Sequence, residues 1–272
     1  MLSAGAEQGL KYQAFMLRKR LTVQEYCRGV ARGGKPLYGI PVGMLMLEAR
    51  FPRIPGDNGN GYTWPFPVLF KIVRGASPDI VVRKLDPDLW LQPFIDAAKE
   101  LERDGVGLIT TGCGFLVLFQ KQMQEQLSVP ILTSSLLQVP WVAAMLPPGR
   151  AVGVLTVEGR SLTERHLISA GISPGIPLFI QGLEEAGGYF TRQILDGYQE
   201  LDVERCALEH EQAARMLVER HPEVGAIVLE CTNMPPYAHR IQAAIGLPVY
   251  DLTTMVGWAV SGLIRRPFQG YL

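Results

Sequence analysis

Cysteine is scarce in this chain of 272 residues, which has four. Four are too few to scaffold so long a chain with disulfides, and no CxxC pair points to zinc or dithiol chemistry. Net charge is absent, with 26 Lys and Arg against 26 Asp and Glu. That excludes a chain-wide attraction to nucleic acid or to an anionic membrane. No apolar run approaches the roughly 18 residues that cross a bilayer. The opening "MLSAGAEQGLKYQAF" lacks the charged start and apolar block of an export signal. The histidines, His166, His210, His221 and His239, form no HxxxH-type cluster, so no metal is expected. "GNGYTW" and "EEAGGYF" fit neither GxGxxG nor a phosphate loop, so no nucleotide site is expected either. The expectation is a cytoplasmic protein with reduced thiols and a small-molecule partner. No cofactor, nucleic acid or membrane is expected with it, and a homo-oligomer is left open.

At 47% hydrophobic and 19% charged, the chain can bury a substantial core, as one large domain or two of ordinary size. Residues 1–35 stand apart. They hold seven basic residues against Glu7 and Glu25 and read as an appended basic arm. From Leu37 onward, short apolar runs read as buried parallel strands at 37–47, 68–73, 105–112 and 129–135. A second series follows at 151–159, 175–183, 224–231 and 247–251. Helical spacing lies between them, in "PDLWLQPFIDAAKELERDG", "FLVLFQKQMQEQLS", "SLTERHLISAG" and "DVERCALEHEQAARMLVERHP". Such alternation calls for βαβ units, an α/β fold with parallel sheets.

Two stretches align without gaps. Gly107 precedes Cys113 by six residues and Gly225 precedes Cys231 by six; Pro130 follows the first cysteine by 17 and Pro248 follows the second by 17. Each unit is strand, cysteine, helix, proline, strand. The repeat predicts two similar Rossmann-like domains with an active site in the cleft between them. Residues 36–134 with 248–272 form the first domain, and 135–247 the second. Ligands of open parallel sheets bind beyond the carboxyl ends of the strands, where both cysteines fall. A helix N-terminus there would lower a thiol pKa toward neutrality. Two such thiols facing one carbon from opposite sides could take a proton on one face and return it on the other. Taken singly, each cysteine could equally be a small buried hydrophobe. Cys27 and Cys206 lack the strand-end context and read as structural.

"TTGCGF" and "LECTNMPPYA", in this duplicated layout, resemble the cofactor-independent aspartate/glutamate racemase superfamily, over roughly residues 36–272. Hydantoin racemases, arylmalonate decarboxylases and maleate isomerases belong to the same group. The resemblance implies that Cys113 and Cys231 are two catalytic bases for 1,1-proton transfer beside a carboxylate or carbonyl, on an amino acid or hydantoin-like substrate. The decarboxylases keep only the second cysteine, so decarboxylation is less expected. Gly112 and Gly114 flank Cys113 where many members have Asn-Thr, and "ECTNM" departs from the usual Gly-Cys-Thr.

Around this pair, "PRIPGDNGNGYTW" is a turn-rich loop from which Asp57 and Asn60 could orient substrate. Thr111, Gly114 and Thr156 flank the expected cleft. Thr232 and Asn233 either cap a helix or bind a carboxylate. Glu158 reads as a solvated loop residue and the histidines as solvated. Two rivals remain: a cysteine-nucleophile cis–trans isomerase of the maleate type, and a non-catalytic small-molecule binding protein.

Overall fold

A computed structural model describes residues 34–35, 37–265 and 267–268. The expected basic arm therefore lies, apart from its last residues, outside the described residues. The body contains two four-stranded sheets, and every strand pair in them is parallel. The first holds β1 (Val42–Leu47), β2 (Val68–Val73), β3 (Leu108–Thr111) and β4 (Ile131–Leu132), in the order β2-β1-β3-β4. The second holds β5 (Ala151–Thr156), β6 (Leu178–Gly182), β7 (Val224–Leu229) and β8 (Val249–Tyr250), in the order β6-β5-β7-β8. The fold is α/β with two equivalent halves.

The repeat extends to the strand register. Ile109 pairs with Ile131, and Ile227 pairs with Val249. Corresponding residues of these pairs stand 118 positions apart, as do Cys113 and Cys231. β1 and β5 are the inner strands at which the chain reverses its direction of sheet building, and both are buried along their whole length. Covered on both faces, they need unbroken apolar sequence. Each carries one glycine where a helix crosses closely. A Cβ on Gly153 would come within 2.7 Å of Ile227 and Leu217 side chains, and one on Gly43 within 3.0 Å of Leu101.

The helices are α1 (Pro78–Arg83), α2 (Pro87–Asp104), α3 (Gln120–Gln126), α4 (Val139–Met145), α5 (Glu164–Ser169), α6 (Tyr189–Leu195), α7 (Val203–Arg220), α8 (Ala238–Ile245) and α9 (Leu252–Leu263). The ends of α2 follow from its sequence. Asp86 accepts from the Asp88 N–H, Pro87 starts the first turn, and Gly105 closes the helix at φ 99°. α9 starts at Asp251, which accepts from the Thr253 and Thr254 N–H groups. Its Leu252, Met255, Val256 and Val260 pack on Val42, Met44 and Met46 of β1 and Leu108 of β3. The return to the first sheet thus begins at α9; β8, just before it, still pairs in the second sheet.

His166 and His210 are buried rather than solvated. His210 lies within the apolar face of α7, donates from Nδ1 to the Cys206 carbonyl at 2.6 Å, and stacks on Tyr237 at 4.3 Å. Burial lowers its pKa to about 4. The fold therefore holds the neutral ring, while the unfolded chain titrates near 6.5. This stability is complete above pH 6.5 and is lost as pH falls toward 4. We expect the wild-type melting temperature to drop between pH 6.5 and 4.5 in a thermal scan. Substituting His210→Gln should flatten that acid slope.

Candidate functional site

The two cysteines meet at one narrow pocket between the sheets. Its lining includes Leu47, Phe51, Arg53, Val82, Cys113, Phe115, Ile194, Glu230, Cys231, Thr232 and Asn233. β3 ends at Thr111 and hands the chain to Cys113; β7 ends at Leu229 and hands it to Glu230 and Cys231. Both sulfurs stand where the parallel strands stop, beside the point at which each sheet changes direction. Cys113 is 9% exposed and Cys231 7%, so each thiol reaches the pocket from an otherwise buried position.

Neither cysteine starts a regular α-helix. Gly114–Phe119 form a 3-10 turn before α3, and Pro235–Tyr237 form another before α8. One backbone N–H faces each sulfur, that of Phe115 for Cys113 and that of Asn233 for Cys231, and each favours the thiolate. Burial outweighs it. Both thiols are raised above the ordinary cysteine value by desolvation first, with the Glu230 carboxylate adding to it. This corrects the expectation of thiols lowered toward neutrality: one N–H does not offset removal of the sulfur from water. The two surroundings also differ. Arg53 favours the Cys113 thiolate. Cys231 instead faces the negative fields of Cys113 and Asp57.

A hydrogen-bond chain supports Cys231. Asp57 accepts from Arg53 at 2.8 Å, from the Gly59 N–H at 2.8 Å and from Asn233 Nδ2 at 2.7 Å. The amide thus anchored turns its Oδ1 to the Cys231 thiol, 3.6 Å away. Asn233 thus touches the sulfur, and Asp57 stands behind Asn233. Thr232 donates to the Gly112 carbonyl at 2.8 Å, and its own carbonyl accepts from Asn58, which ties the two cysteine loops together. Ser135 adds a further tie, donating to the Leu229 carbonyl at 2.5 Å.

Other expected site residues sit elsewhere. The Thr111 hydroxyl donates toward the Cys113 and Thr133 carbonyls, so it steadies the cysteine loop from outside the pocket lining. Asn60 caps its own turn through Tyr62 N and donates to the Arg53 carbonyl; it holds the loop and not the pocket. Thr156, at the end of β5, donates to Glu230 Oε2 at 2.7 Å. Gly114 lies against Glu230, and a Cβ there would overlap both its Oε1 and its carbonyl. Gly114→Ala is therefore expected to fold less stably and to disable the site. A lowered melting temperature together with weakened ligand protection would register this.

Two charged pocket residues escaped the sequence reading. Arg53 and Glu230 both line it. Glu230 is fully buried, and burial raises its carboxyl to about 8 against the opposing Thr156 hydroxyl. Its place directly before Cys231, at the end of an apolar strand, was the available signal. Glu158 is also corrected. It is 1% exposed and held by Arg83, Arg160 and Ser161. Among the described residues, no group of three or more His, Cys, Asp or Glu is placed to hold a metal, and no helix is long and apolar enough to cross a membrane.

This geometry can be set beside known proteins. No family model matches the chain. Among solved structures, a glycine-to-cysteine variant of arylmalonate decarboxylase superposes with TM-score 0.56 at 17% identity. The match covers 82% of this chain and 92% of that one. Glutamate racemase from Bacillus anthracis superposes with TM-score 0.54 at 12% identity, covering 82% and 81%. The chain has the fold of the aspartate/glutamate racemase superfamily. By sequence it is similar to enzymes of another name. A dimethylsulfoniopropionate lyase from Durusdinium sp. clade D is 28% identical over 235 residues, 84% of this chain and 77% of that protein. Dimethylsulfoniopropionate lyase 6 from Emiliania huxleyi is 30% identical over 237 residues. That match covers 84% of this chain but only 61% of the relative's length. The comparisons thus pair a racemase-type fold with relatives that carry a lyase name.

Proposed function

We propose that this chain uses a cysteine thiolate to remove the proton α to the carboxylate of dimethylsulfoniopropionate and eliminates dimethyl sulfide. The observation that carries the reading is the convergence of Cys113 and Cys231 on one pocket from the strand ends of two sheets. A proton α to a carboxylate is very weakly acidic. A thiol whose pKa is raised by burial becomes a correspondingly strong base once ionised, and a sulfonium cation seated beside it favours that ionisation. Cys113 is the base, because Arg53 favours its thiolate while Asp57 disfavours that of Cys231. The Cys113 sulfur takes the α-proton. The electron pair left on the α-carbon forms the double bond as the β-carbon–sulfur bond breaks. Sulfur departs with the electrons of that bond as neutral dimethyl sulfide. Acrylate remains, and the proton on Cys113 passes to solvent.

The lining supports a methylated sulfonium over an ammonium. Leu47, Phe51, Val82, Phe115 and Ile194 surround the pocket, and a dimethylsulfonio group has no N–H to satisfy. The Asp57 carboxylate, an obvious ammonium partner, already accepts from Arg53, Gly59 and Asn233. The presence of a second pocket cysteine favours one other reading, racemisation of an amino acid or hydantoin. Its first step is the same, and Cys231 then returns a proton to the opposite face.

The test is incubation in heavy water with dimethylsulfoniopropionate and, separately, with single-enantiomer amino acids and hydantoins. Headspace chromatography follows dimethyl sulfide, and proton NMR follows acrylate and α-deuteration. Dimethyl sulfide and acrylate in equal amounts are expected. Deuteration with loss of optical activity and no volatile product would select racemisation. Silence on every compound would refute both readings.

A further inference from the structure

We propose that Glu230 is a further catalytic residue beside Cys113, whose Oε1 hydroxyl donates to the carboxylate of the substrate while Cys113 removes the α-proton. The inference rests on the carbon-acid reading above and adds the partner which that reading lacks. Taking a proton from beside a carboxylate drives a second negative charge onto its oxygens. A preorganised donor at that oxygen lowers the barrier only if it is already in place and sheltered from water.

Glu230 has the required placement. It is fully buried and lines the pocket with both cysteines. Its two oxygens are used differently. Oε2 accepts from Thr156 at 2.7 Å, whereas Oε1 has no hydrogen-bond partner. A buried polar atom without a partner is rare and costly in a folded protein. Here it packs against Gly114, where a side chain would overlap it. Ser135 fixes the carbonyls of Leu229 and Glu230 at the strand end, so the carboxyl is held from both its backbone and its Oε2. An ionised Glu230 would repel the incoming carboxylate and the Cys113 thiolate. A protonated one presents an O–H from Oε1, with Oε2 as the carbonyl oxygen that Thr156 supports. Burial favours this neutral form, with a pKa of about 8. The titratable and charged groups sharing this pocket and its rim are Cys113, Cys231, Arg53 and Asp57.

The proton balance is unchanged. Cys113 keeps the α-proton, and Glu230 shares its own with the carboxylate oxygen as charge builds there. It recovers that proton when the electron pair moves on to expel the leaving group. The role predicts a rate that rises with thiolate formation and falls as Glu230 ionises above about pH 8.

The experiment uses the full chain, Glu230→Gln and Glu230→Leu, each checked by circular dichroism and melting temperature. Dimethyl sulfide release is measured from pH 6 to 10. Glu230→Gln keeps an acceptor for Thr156 and an N–H for the pocket. It is expected to stay within about tenfold of wild type at pH 7 and to lose the falling limb. Glu230→Leu should lose about 10²- to 10³-fold in kcat, the usual cost of one such donor, with a smaller change in KM. An unaltered falling limb in Glu230→Gln, or equal rates for the Gln and Leu variants, would overturn the role. Infrared difference spectra at pH 7 provide a reading independent of turnover. A protonated carboxyl band present in wild type, absent in Glu230→Gln and shifted by added propionate is expected. A missing band, or one indifferent to propionate, overturns the proposal even if the protein eliminates no dimethyl sulfide. Elimination failing while the band responds would instead count against the lyase reading alone.

Discussion

Cys113→Ser is expected to abolish dimethyl sulfide release, lowering kcat by about 10³-fold or more, within the range assigned to a positioned general base. The serine hydroxyl fits the space of the thiol, but it is a far weaker acid, so almost no alkoxide forms at any working pH. Packing is nearly conserved, so the melting temperature should shift little and the loss can be read as chemistry. Cys231→Ser separates the two readings. In an elimination the leaving sulfide departs unprotonated, so Cys231 has no proton to give. Its loss should then cost only about tenfold to 10²-fold through altered positioning. In a racemisation it must return the proton, and its loss should match that of Cys113. The Cys231 thiol faces Asn233 Oδ1 at 3.6 Å and the negative field of Asp57, surroundings that favour its protonated form and suit an acid or a spectator better than a base. Asymmetric losses measured as kcat for the two variants would support elimination; equal losses would withdraw it.

The parts of this picture that sequence could carry are those governed by repetition. The equal spacing of glycine, cysteine and proline in the two halves foretold two sheets of the same build, and the matched register of β3–β4 and β7–β8 is its physical counterpart. The buried strands were legible because a strand covered on both faces must be apolar throughout. The helices α1 and α6, of six and seven residues, were not, although α3 and α5 of the same lengths were legible inside longer patterned stretches. Residues whose roles depend on distant partners were also hidden. Nothing near Thr111 in sequence says that its hydroxyl serves the carbonyl of Thr133. Likewise, nothing near Glu158 says that Arg83, 75 residues earlier, neutralises it. Thiol acidity was misjudged for a related reason. A strand end followed by a turn signals a favourable N–H, but burial is a property of the assembled pocket and dominates it.

Arg83→Met should produce the largest loss of stability outside the apolar core. Arg83 ends α1, which follows β2 of the first sheet, and reaches across to Glu158, which follows β5 of the second. Its Nη2 lies 2.7 Å from Oε1, and its Nε lies 3.1 and 3.2 Å from the two carboxylate oxygens. Glu158 is 1% exposed. Although burial alone would raise its carboxyl, Arg83, Ser161 and Arg160 together hold it at about 2. Depressed below its unfolded value, the group contributes its full stability above about pH 4.5. That contribution is lost as pH falls toward 2. Removing Arg83 leaves a buried carboxylate with Arg160 and Ser161 only. Losing one partner of a buried pair costs about 3–5 kcal/mol, and the surviving Arg160 contact places this case near 3. For a chain of this size that is roughly 6–12 °C in melting temperature. Adding Glu158→Gln removes the stranded charge and should restore about half of the loss, a coupling that a double-mutant cycle measures directly. The neighbouring Val82 lines the pocket, so the single variant should also raise KM. Additive effects in the cycle, or a melting temperature within 2–3 °C of wild type, an allowance of about 1 kcal/mol, would mean that the Arg83–Glu158 pair does not help to hold the two halves together.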